Sequence, residues 1–84
     1  MDLLERPLPL PLRRAAPRGL DIVPRRGAVW RVARADGIVL GYVERVDDES
    51  GARYRSKRLI ARAAGFDVIG EFGAADDAVE SLRY

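Results

Sequence analysis

Apolar and polar residues alternate with a period of two along much of residues 28–60, which is the signature of strands with one buried face. Ala28-Val29-Trp30-Arg31-Val32-Ala33-Arg34-Ala35 reads as the first strand, with Trp30 and Val32 on one face and Val29, Arg31 and Ala33 on the other. Asp36-Gly37 follows, a strong hairpin signal because glycine accepts positive φ. The second strand is Ile38–Val46, apolar on both faces at its start and therefore expected to be central. Gly41 within it marks a bulge, or a place where a neighbour such as Trp30 needs room. Asp47-Asp48-Glu49-Ser50-Gly51 is a polar turn leading into a third strand, Ala52–Ile60. There Arg53, Arg55 and Lys57 point one way, and Tyr54, Ser56 and Arg58 the other.

The period changes towards the C-terminus. Residues 61–65 suit a short helical turn or a loop, and Phe66–Phe72 a short strand or extended link. Ala75, Ala78, Val79 and Leu82 then follow the i, i+3, i+4, i+7 rule and predict a helix from about Ala74 to Arg83. Asp76 and Asp77 in its first turn and Arg83 in its last suit the helix dipole. A helix this short is marginal alone, so it must lie on the sheet.

Residues 1–27 break the pattern. All five prolines lie here, and Arg6-Pro7-Leu8-Pro9-Leu10-Pro11-Leu12 is expected to be extended. Leu8, Leu10, Leu12 and Leu20 suggest that part of this arm packs on a neighbouring surface. The expected fold is therefore α+β. An extended Pro/Leu/Arg-rich arm (1–27) precedes a small three- to four-stranded antiparallel sheet with one C-terminal helix on one face (28–84). Trp30, Val32, Val39, Val43, Tyr54, Ile69, Phe72, Ala78, Val79 and Leu82 are the expected core.

Composition narrows the function. The 84 residues suit one domain, and they include no cysteine and no histidine. Thiolate and imidazole chemistry is thereby excluded, which removes the commonest metal ligands and the commonest general base. Ser50, Ser56 and Ser81 have no histidine to activate them, and no phosphate loop or nucleophile elbow is present. No catalytic residue, metal site or cofactor is expected. Asp47-Asp48-Glu49 reads as a solvated turn rather than a cation site, since calcium needs six to eight oxygens. No apolar run approaches the ~20 residues of a membrane span. Acids near the N-terminus argue against a secretory signal, so a cytoplasmic protein is expected.

Charge is uneven. Residues 1–34 carry eight arginines and three acids, whereas residues 35–84 carry seven cations and ten acids. Basic residues gather in the arm and in Arg53–Arg62. Arg53, Arg55 and Lys57 stand about 6–7 Å apart along their strand, close to the spacing of phosphates along a nucleic-acid strand. The alternative is an edge strand guarded by charge. Trp30, Tyr42 and Tyr54 are either core residues or a stacking platform for bases.

The order hairpin, basic strand, Gly-x-Phe segment and helix resembles two families of DNA-binding domain, the arm-binding domains of phage integrases and the plant AP2 domains. Trp30-Arg31-Val32, Gly41-Tyr42-Val43, and Ile69-Gly70-Glu71-Phe72 followed by Ala78-Val79 and Leu82 carry the likeness. It implies a βββα fold whose sheet enters the DNA major groove. The acidic Asp47–Glu49 turn and the short helix depart from that pattern. The chain also resembles short actinobacterial proteins with a Tyr-Arg-x-Lys-Arg strand, here Tyr54–Arg58, and a Gly-Glu-Phe-to-helix segment. That likeness implies a fold and no activity.

Two functional expectations follow. One is a non-enzymatic nucleic-acid-binding module, with Arg53, Arg55 and Lys57 on the sheet, Arg31 beside them if strand pairing allows, and Arg25 and Arg26 adding backbone contacts. The other is a protein-interaction or accessory subunit whose Pro/Leu arm docks on a partner or on a second copy. An open positive face at Arg53, Arg55 and Lys57 would favour the first, and neutralisation or cover by Glu44, Asp47 or a second copy of the chain would favour the second.

Overall fold

The computed structural model of the chain describes residues 8–60 and 65–83. The sequence expectations for residues 1–7 and 61–64 lie outside them. Five strands and one helix follow in order: β1 (Leu20–Arg25), β2 (Val29–Arg34), β3 (Val39–Asp48), β4 (Gly51–Ile60), β5 (Gly65–Phe72) and α1 (Ala75–Ser81). The sheet order is β1-β2-β3-β4-β5, each strand antiparallel to its neighbours. The α+β class and the C-terminal helix agree with the sequence reading.

The strand number does not: there are five strands rather than three or four. The extra one is β1, drawn from the segment read as arm. Its Pro24 stands opposite Trp30 and has no N–H to give to a ladder. An edge strand tolerates this, because one side of its backbone has no strand to bond. Gly27 and Ala28, both at positive φ, then turn the chain into β2.

Two turns are tight. Gly37, at φ 95°, closes the β2–β3 hairpin, where Asp36 accepts hydrogen bonds from Arg34 and from the Ile38 N–H. The β3–β4 turn is shorter than the five residues expected. Asp48 pairs with Gly51, and the Asp48 carboxylate accepts the Ser50 N–H at 2.8 Å. Gly51, at φ 116°, supplies the conformation that lets Asp47 and Asp48 stay in the strand.

Trp30, Val32, Val43 and Tyr54 on one face of the sheet join Ala75, Ala78, Val79 and Leu82 of the helical segment in one core. These last four are the positions that the helical period selects. Ser56 is fully buried among them, and the Ser81 hydroxyl bridges Ser56 Oγ (2.8 Å) and the Ala78 carbonyl (2.7 Å). Arg58 donates to the Ser81 carbonyl at 3.0 Å, which satisfies a backbone group at the helix C-terminus.

Leu10 belongs to this core too, and Leu12, Leu20 and Ile22 pack against it. The neighbouring surface for the arm is thus the chain's own core. Leu8 O accepts the Trp30 indole N–H at 2.8 Å, and Asp76 accepts the backbone N–H groups of Arg13 (2.8 Å) and Arg14 (3.0 Å).

Two bulges complete the sheet. Between Val32 and Ala33 the pairing with β3 shifts by one, leaving Leu40 as the extra residue beside Gly41. A Cβ on Gly41 would sit 2.0 Å from the Lys57 carbonyl oxygen, so the close neighbour is β4 backbone and not Trp30. The second bulge leaves Ile69 unpaired between Val68 and Gly70. Ile69, expected in the core, is exposed for this reason.

Candidate functional site

The helix and the N-terminal segment cover one face of the sheet. Pairing register decides what the other, open face carries. Two rows run across all five strands. One is Val23, Arg31, Tyr42, Lys57 and Val68; the other is Arg25, Val29, Glu44, Arg55 and Glu71. Arg53, opposite Val46, and Leu59, opposite Phe66, extend the same face. Arg25, Arg31, Arg53, Arg55 and Lys57 therefore share one surface. Arg26 lies beyond the end of β1, exposed in the turn.

The three cations of β4 are not bare. Glu44 of β3 faces Lys57 Nζ at 3.1 Å and Arg55 Nη1 at 3.5 Å. Glu71 of β5 accepts from Arg55 at 2.7 Å and lies 3.7 Å from Arg53 Nε. Arg53 also donates to the Glu71 carbonyl at 3.4 Å. Two carboxylates thus interleave three cations along a continuous chain. The Glu71 hydrogen bond raises the Arg55 guanidinium above its usual range, against the opposing effect of burial.

Arg31 differs. It is half-buried in the middle of β2, its Nε is shielded from solvent, and that atom has no hydrogen-bond partner among the described residues. No described carboxylate pairs with Arg31 or Arg25. At the opposite end the face is apolar. Phe66 is 50% exposed, Val68 56% and Leu59 38%. Tyr42 and Phe66 meet edge to face, with ring centroids 5.3 Å apart. The surface carries unpaired arginine at β1–β2 and, across β3–β5, an ionic strip lying beside an apolar corner at Leu59, Phe66 and Val68.

The alternation along β4 made Arg53, Arg55 and Lys57 visible in the sequence. Glu44 was a candidate for neutralising them and does so, whereas Asp47 pairs with Arg45 instead; Glu71 was missed because it comes from another strand, and only register brings it alongside. Tyr42, Leu59, Phe66 and Val68 were missed as a patch for the same reason.

The other candidates do less. Asp47 pairs with Arg45 at 3.1 Å, and Asp48 is occupied by its turn. Among the described residues no cluster of three potential ligands could hold a metal ion. No helix of the described residues is long and apolar enough to cross a membrane. An open depression of about 430 Å³ beside Arg18, Leu20 and Arg34 has two of its arginines already paired, Arg34 with Asp36 and Arg83 with Glu80.

Comparison with protein-family models, curated proteins and solved structures finds no match to this chain. The functional reading therefore stands on the geometry of the open face.

Proposed function

We propose that this chain is a small non-catalytic protein-interaction module whose partner docks on the open face of the sheet. One observation carries the reading: Glu44 and Glu71 interleave with Arg53, Arg55 and Lys57, so every cation of the basic strip has a carboxylate partner within the chain and the strip keeps a net charge of only +1. Binding a phosphate backbone with it would mean displacing those carboxylates. Beside the strip, Leu59, Phe66 and Val68 offer exposed aliphatic and aromatic surface, with the half-buried Tyr42 ring against Phe66. Aromatic and arginine side chains around an apolar centre are typical of protein interfaces. The arm, engaged by Trp30 and Asp76 of its own chain, stiffens the opposite face. A cytoplasmic location accords with a chain that carries no cysteine.

Nucleic acid is the second reading. Register supports it by placing Arg25, Arg31, Arg53, Arg55 and Lys57 on one face with the exposed Phe66 and the half-buried Tyr42. Photo-crosslinking separates the two. A photoreactive residue at Val68 should form protein adducts in cells, while the same residue in the exposed turn at Glu49 should not. Nucleic-acid adducts at Val68 would favour the second reading, and equal yields at both positions would remove the first.

A further inference from the structure

The interaction reading leaves the partner's chemistry open, and the open face constrains it. Arg31 is a guanidinium whose shielded Nε has no acceptor among the described residues. The rest of the guanidinium is not shielded and has no acceptor among the described residues either, so its Nη groups are open to a carboxylate from outside. Arg25, on the adjacent row, also lacks a carboxylate and strengthens the positive potential at this end. The β4 cations cannot serve in the same way, because Glu44 and Glu71 hold them.

Val68 lies on the same transverse row as Arg31, three strands away, with Phe66 and Leu59 beside it. At ~4.8 Å per strand, Arg31 and Val68 are about 14 Å apart. An extended peptide laid across the strands advances ~3.3 Å per residue, so four residues cover about 13 Å. Four is also even, and in an extended chain residues i and i+4 project to the same side. A separation of three would bring one of the two side chains to the wrong side.

Resting on that interaction reading, we infer that the partner is an extended acidic segment that crosses the sheet, with a carboxylate side chain on Arg31 and an aromatic or aliphatic side chain four residues away against Phe66, Val68 and Leu59. The free arginine end and the apolar end supply the complementarity. Between them on the row stand only Tyr42 and Lys57, and Lys57 is already paired with Glu44, so the segment crosses without burying an unpaired charge.

The test uses the full chain and synthetic peptides. One probe is a seven-residue Thr-rich peptide with Glu at position 2 and Phe at position 6. A second has the same composition with Phe at position 5, and a third has Gln for Glu in the first. Titration followed by backbone chemical shifts should show the first peptide binding about tenfold more tightly than either of the others, the scale of one charge-assisted contact. Arg31→Ala should remove the Glu-versus-Gln difference while leaving Trp30 fluorescence unchanged. Equal binding by all three peptides would overturn the proposal, as would an Arg31→Ala effect that is the same for Glu and Gln peptides. Displacement of the first peptide from this face by a DNA or RNA oligonucleotide at physiological salt would overturn it also. The peptide substitutions leave the protein unaltered, so misfolding of a variant cannot mask the answer. If Val68 crosslinks to protein in cells while the Glu–Arg31 coupling is absent, the inference fails and the interaction reading stands.

Discussion

Asp76, in the first turn of α1, accepts the backbone N–H of Arg13, a residue 63 positions earlier, at 2.8 Å. It accepts the Arg14 N–H at 3.0 Å as well, and its side chain is 93% buried. The helix N-cap, Ala74, makes no side-chain cap. The first-turn acid thus serves mainly to clip the N-terminal segment onto the helix. The Arg13 backbone hydrogen bond, with Arg14 behind it, holds the carboxyl below the usual Asp range, against the opposing effect of burial.

Asp76→Asn should therefore cost about 1–3 kcal/mol, since it loses the charge and offers an N–H₂ group to one of two backbone donors. A depressed carboxyl stabilises the fold above its unfolded pKa of ~3.9 and loses that contribution as pH falls through the folded value. Urea denaturation of wild type should weaken more steeply below about pH 4 than that of the variant. Parallel pH profiles would show that the clip carries no net stability.

Leu10 is the anchor of the same segment, buried against the core, and Leu8 O holds the only tryptophan. Leu10→Ala should cost about 2–3 kcal/mol, at the lower end for buried leucine because a terminal segment can partly relax. Trp30 emission should change in the same variant, since its indole N–H loses a fixed acceptor. An unchanged denaturation midpoint would place the arm outside the folded unit.

Gly41 is required by the approach of β4. Gly41→Ala puts a methyl group 2.0 Å from the Lys57 carbonyl oxygen, a backbone atom that cannot swing away. We expect a loss of at least about 2 kcal/mol on denaturation. Gly73→Ala is the control, because its added Cβ meets nothing within 4 Å.

The hairpin, the basic strand and the helix were legible because each is a local pattern: Asp36-Gly37, the alternation of Arg53, Arg55 and Lys57, and the apolar period of α1. β1 was hidden by Pro24, which argues against a strand everywhere except at an edge. That leucines of the proline run pack on a surface was legible, but not that Leu10 joins the chain's own core, because its neighbours lie elsewhere in the chain. Ile69 misled because a bulge changes which face a residue takes, and no periodicity records a bulge. The open face was half legible. Its cations stand in one strand, while Glu44 and Glu71 join them only through pairings with β3 and β5.

Those two carboxylates carry the central claim, that charge compensation makes this face a surface for protein. The most direct measurement is binding of single- and double-stranded oligonucleotides to wild type and to Glu44→Gln/Glu71→Gln, at low and at physiological salt. We expect wild type to show no binding at physiological salt. The double variant, with Arg53, Arg55 and Lys57 released, should gain affinity that falls steeply as salt rises. Tight, salt-sensitive binding by wild type, unchanged in the double variant and lost on Lys57→Ala, would contradict the account.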